Sequence, residues 1–124
     1  QGIAVRTKVV KLLFLFFLLS LNVNATEPIE NYQKLKDLQH LNTDSSRSFV
    51  NQLLLKIPNN DYKFLHAPIY AYIAKLKTAD GNWLEGKHYL DLAISALATT
   101  SDDELLIESL ESISWIFFIY SSSS

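Results

Sequence analysis

The sequence predicts an all-α protein of antiparallel helix hairpins stacked as a short solenoid, preceded by a signal-peptide helix. Three observations lead there. Apolar residues recur at three- and four-residue spacing in five separate stretches. Short turns rich in Asn, Asp, Ser, Gly or Pro separate those stretches. One stretch, from Gly81 to Ile94, carries two stripes, Trp83, Gly86, Leu90, Ala93, Ile94 and Leu97 on one, Tyr89, Leu92 and Ala96 on the other. Two apolar stripes belong to a helix packed between two neighbours, so the chain is expected to be organised around this helix.

The first 25 residues read as a cleaved leader. Arg6, Lys8 and Lys11 precede a run from Leu12 to Leu21 that is almost wholly Leu and Phe, and Val23-Asn24-Ala25 supplies a short-side-chain cleavage signature before Thr26. The run is about half of the roughly 20 residues that a spanning helix needs. All 13 acidic residues lie after Ala25 and three of the 11 basic ones before it, which leaves residues 26–124 with five net negative charges. That balance argues against nucleic acid as a partner, because phosphate binding needs clustered Lys and Arg. Without cysteine the chain has neither disulfides nor thiolate metal sites. The expected location is periplasmic.

Ile29, Tyr32, Leu35, Leu38 and Leu41 predict a first helix from about Glu30 to Leu41. Asn42 to Ser45 is a turn of helix-capping residue types. A second helix follows over Ser46 to Ile57, with Phe49, Val50, Leu53, Leu54 and Ile57 on one face, and Pro58-Asn59-Asn60 stops it. Phe64, Leu65, Ile69, Tyr70, Ile73, Ala74 and Leu76 mark a third. Pro68 fits either a start near Ala67, with proline in the first turn, or one long helix from Asp61 kinked at Pro68. The long form is favoured because it gives Phe64 and Leu65 a place. Thr78 to Gly81 turns into the fourth helix, Asn82 to about Ala98. Ser101-Asp102-Asp103-Glu104 has the Ser-x-x-Glu form of a capping box for the fifth. Leu105, Leu106, Ile107, Leu110 and Ile113 continue it into Trp115-Ile116-Phe117-Phe118-Ile119-Tyr120, which is read as helical since no breaker precedes it.

Gly81-Asn82-Trp83-Leu84-Glu85-Gly86, with Tyr89-Leu90 and Ala93-Ile94, resembles the second half of a tetratricopeptide repeat. Gly86 and Ala93 take the small positions and Leu90 the bulky one between them. Tyr70, Ile73 and Ala74 fall on the aromatic, aliphatic and small positions of the first helix. Lys77, where an aromatic is usual, and Ala98, where proline is common, depart from the pattern. The layout is also similar to the extracytoplasmic sensor region of bacterial GGDEF diguanylate cyclases and sensor histidine kinases. The resemblance implies an exported protein-interaction or ligand-sensing module, the N-terminal part of a membrane signal-transduction protein. In such an array the first helices line a groove, which here implicates Tyr72, Lys75, Glu108 and Glu111.

A repeat cannot bury its apolar face alone, and a terminal helix should be polar outside. Trp115, Phe117, Phe118 and Tyr120 break that rule. They are expected either to meet a continuation of the chain past Ser124 or to dock on a protein partner, as in a stand-alone periplasmic adaptor. The membrane would be reached through the leader or a downstream segment.

Nothing in the sequence points to catalysis, a cofactor or a metal. His40, His66 and His88 lie on separate helices without ligand spacing. Asp102, Asp103 and Glu104 read as helix-capping groups. Ser95, Ser112 and Ser114 lack a nucleophile's glycine elbow, and three glycines do not build a phosphate loop.

Overall fold

A computed structural model of the chain describes residues 23–123. The described residues form five α-helices: α1 (Val23–Lys36), α2 (Asp44–Lys56), α3 (His66–Ala79), α4 (Trp83–Leu97) and α5 (Asp103–Ser123). A 3₁₀ segment, Asn60–Leu65, enters α3, and there is no strand among the described residues. The predicted leader lies outside the described residues apart from its last three positions, which begin α1.

The helix at the centre is α3, not the predicted α4. Ala67, Pro68, Ile69, Ala71, Ile73, Ala74, Leu76 and Thr78 are all buried, the pattern of a helix covered on every side. Its bulky side, with Ile69, Ile73 and Leu76, joins Tyr32 and Leu35 of α1, Val50 and Leu53 of α2, and Leu65 in one core. Its small side, with Ala71 and Ala74, joins Leu90 and Ala93 of α4 and Ile113 and Ile116 of α5 in a second. Of the fourth-helix stripe only Gly86, Leu90 and Ala93 are buried. Trp83 and Ile94 are 39% and 42% exposed, because small residues on α3 bring the helices close along a narrow seam and leave the stripe's edges outside it.

The caps explain most element boundaries. Thr43 Oγ1 accepts the Ser46 amide at 3.1 Å and starts α2 two residues before the predicted position. Between α3 and α4, Asn82 N donates to Lys77 O at 2.9 Å and Gly81 N to Thr78 O at 3.0 Å. This closure needs a left-handed residue, supplied by Gly81 at φ +83°. Asn82 then caps α4, its side chain accepting the Glu85 amide. At α5 the cap is Asp102, whose Oδ1 accepts the Leu105 amide at 3.1 Å, so the predicted Ser101–Glu104 box gives way to a cap one residue later.

Two predicted boundaries are corrected. The first helix ends at Lys36 rather than Leu41, since tertiary donors satisfy the backbone beyond it. Tyr72 Oη donates to Lys36 O and Leu38 O, and an Arg47 nitrogen donates to Leu41 O at 2.9 Å. The kinked long helix from Asp61 is replaced by the 3₁₀ segment and a fresh α start at His66. Pro68 thus sits in a first turn, where its missing amide costs no helix bond. Leu65 is buried from the 3₁₀ segment and Phe64 is 41% exposed. His66 Nε2 donates to Ile57 O at 2.7 Å and so satisfies the end of α2.

The pairs Tyr70–Tyr89 and Gly86 against Thr78 and Ala74 show α3 and α4 running antiparallel. Trp83, at the start of α4, meets Tyr120, near the end of α5, with ring centroids 4.9 Å apart. α5 therefore returns alongside α3 in the same direction. By length and composition α5 is the one described helix able to cross a bilayer. Its Ser109, Ser112, Ile113 and Ile116 are buried against the rest of the protein.

Candidate functional site

The parallel course of α3 and α5 leaves a cleft of about 210 Å³ between them. Tyr72 and Lys75 enter it from α3, and Glu108, Glu111, Ser112 and Trp115 from α5. The spacing explains the placement. Residues three and four apart share a helix face, so 72 and 75 lie together on α3, as do 108, 111, 112 and 115 on α5. The structure thus brings all four groove candidates into one cleft.

Sequence reasoning missed Tyr32 and Lys36, which close the cleft from α1. Lys36 Nζ pairs with Glu108 Oε1 at 2.9 Å and lies 4.3 Å from the centroid of the Tyr32 ring. Burial drives the Tyr32 hydroxyl well above the ordinary tyrosine range, and the neighbouring Glu108 carboxylate pushes it the same way. Burial also raises Tyr72, with Asp37 adding to it, so its hydroxyl stays a donor to the end of α1. Lys75 Nζ stands 5.3 Å from the Tyr72 ring centroid and 5.4 Å from that of Trp115, within reach for cation–π attraction to both rings.

The Tyr32, Lys36 and Glu108 side chains also line a larger groove of about 730 Å³ between α1, the 3₁₀ segment and the start of α5. Ile29, Phe64 and Ile107 make its walls apolar, and Asp102 and Glu104 make its rim acidic. The Lys36–Glu108 pair stands where the two spaces meet.

Most of the residues expected from the resemblance to define a repeat have packing roles. Ile73, Ala74, Leu90 and Ala93 are buried, and Tyr70 stacks on Tyr89 with centroids 6.2 Å apart. Gly86 permits the closest approach of α4 to α3, and Gly81 makes the turn. Lys77, the departure from the repeat pattern, pairs with Glu85 at 3.0 Å.

The proposed partner surface divides. Trp115 is half-buried and lines the cleft, and Tyr120 is half-buried against Trp83. Phe117 and Phe118 are 53% and 65% exposed, and with Ile107 and Leu110 they form an outward stripe along α5. Among the described residues no group of three His, Cys, Asp or Glu is placed to hold a metal ion.

Comparison of the chain with protein families, curated proteins and solved structures returns no match. The functional reading therefore rests on geometry and on the residue pattern alone.

Proposed function

We propose that this protein is an exported, tetratricopeptide-like interaction or ligand-sensing module, which binds through the α3–α5 cleft and serves as the sensing end of a membrane signal-transduction protein of the cyclase or kinase type. The observation that carries the reading is the convergence of Tyr72, Lys75, Glu108 and Glu111, on two parallel helices, into one cleft. It is supported by an α3–α4 hairpin that closes on Gly86 and by the return of α5 beside α3. Export is supported by the basic-then-apolar leader. Cleavage before Thr26 would make Pro28 the third residue, within a first turn that tolerates proline.

A second reading has its own observation. The exposed Phe117 and Phe118 favour a small periplasmic adaptor that docks on a protein through the outer face of α5. One experiment separates the two. Amide shifts of the ¹⁵N-labelled chain are followed during titration with the peptide and small-molecule fractions of a periplasmic extract. The cleft reading expects shifts at residues 72, 75, 108 and 111. Shifts confined to 107, 110, 117 and 118 transfer the function to the outer face, and no shifts at either place sink both.

A further inference from the structure

We infer that the cleft takes a small zwitterion, a free α-amino acid, with its carboxylate on Lys75 and its ammonium on Glu111. The inference rests on the cleft reading above and names the ligand class. Four charged side chains line this space, two Lys and two Glu. Lys36 and Glu108 neutralise each other at 2.9 Å. Lys75 and Glu111 line the same cleft, yet among the described residues neither forms an ion pair. A net anion would meet two carboxylates there and a net cation two ammonium groups. A ligand that carries both charges meets a partner for each.

Lys75 is placed before any ligand arrives. The Tyr72 and Trp115 rings hold its ammonium at 5.3 and 5.4 Å, and attraction to ring faces leaves its three N–H donors available to an incoming carboxylate. Ordering of a long side chain is therefore not charged to binding. The same rings offer an apolar wall to the ligand's side chain. The space, about 210 Å³, lies below the roughly 300–1,000 Å³ of drug-sized pockets and suits a molecule of amino-acid size. A peptide terminus presents only one of the two charges and matches half of the set.

The test uses Trp115 as reporter in the full chain carrying Trp83→Phe, which removes the other tryptophan. Emission is titrated with free L-amino acids having aliphatic and aromatic side chains, and with their N-acetyl and C-amide derivatives. Saturable change with free amino acids is expected, weakened roughly tenfold or more by blocking either end. Lys75→Met and Glu111→Gln should each weaken it to a similar degree. Equal binding of a blocked derivative overturns the inference, and so does the absence of saturable change with every free amino acid. The blocked derivatives work on unaltered cleft residues, so the test holds even if a variant misfolds. Amide shifts at the cleft with peptides alone would overturn the zwitterion and leave the cleft reading standing.

Discussion

Gly86 lies directly beneath the Thr78 hydroxyl: a Cβ at position 86 would come 2.5 Å from Thr78 Oγ1, with the Thr78 amide nitrogen at 3.3 Å and the Ala74 carbonyl oxygen at 3.4 Å. That hydroxyl is buried and has no hydrogen-bond partner among the described residues. Gly86→Ala should therefore destabilise the protein by about 1–2 kcal/mol, an overpacking cost partly offset by alanine's better helix propensity. Thr78→Ala alone should be close to neutral, because it removes an unsatisfied group. Combined with Gly86→Ala it should recover most of the loss. Urea unfolding of the two single variants and the double variant measures the coupling, and simple additivity would refute the contact.

Tyr72→Phe tests the tertiary cap on α1. It removes the donor shared by the Lys36 and Leu38 carbonyls and should cost about 1–3 kcal/mol. Hydrogen exchange should speed up over residues 37–41 before it does so in α4. Unchanged protection there would mean that α1 ends at Lys36 for another reason.

Ile116 and Phe117 are adjacent in sequence and opposite in environment. Ile116 is fully buried and Phe117 is 53% exposed. Ile116→Ala should cost about 2–5 kcal/mol. Phe117→Ala should stay within about 0.5 kcal/mol while lowering any binding that uses the outer face. A thermal unfolding midpoint that moves equally for both would contradict this orientation of α5.

Alkaline pH should unfold the protein in part through Tyr32 and Tyr72. Both hydroxyls titrate higher in the folded state than the ordinary value, chiefly through burial. Above about pH 10 the unfolded chain releases these protons first, so it binds fewer than the folded chain and stability falls as pH rises. Below that range the contribution is fully present. Tyr32→Phe should flatten the decline in denaturation midpoint between about pH 10 and 12, and an unchanged slope would remove Tyr32 from the account.

What the sequence made legible follows from how local each cause is. The sequence marks the start of α4 within a residue because Gly81 and Asn82 fix it locally. The end of α1 escapes the pattern because Tyr72 and Arg47, distant in sequence, bond the carbonyls of Lys36, Leu38 and Leu41. The three-residue rhythm through Leu38 and Leu41 survives in burial, since Leu41 is 4% exposed from a loop, but periodicity alone reads it as helix. Trp83 and Ile94 show the complementary error: a stripe gives direction but not the width of the neighbour that covers it. In the cleft, the tetratricopeptide resemblance points to Tyr72, Lys75, Glu108 and Glu111 as first-helix positions, and the structure places them along one space. Tyr32 and Lys36 were not, because the Lys36–Glu108 pairing spans 72 residues and no local pattern encodes it.

That same span separates the molecule in time. Only Asp80, Gly81 and Asn82 join α3 to α4, so the most extensive contact among the described helices has just three residues of loop to close. Chain closure is cheap there and far costlier between α1 and α5. The hairpin is expected to serve as the folding nucleus, onto which α1 is laid late. Leu90→Ala should then slow refolding, whereas Leu35→Ala should mainly hasten unfolding, a contrast that stopped-flow kinetics reads directly.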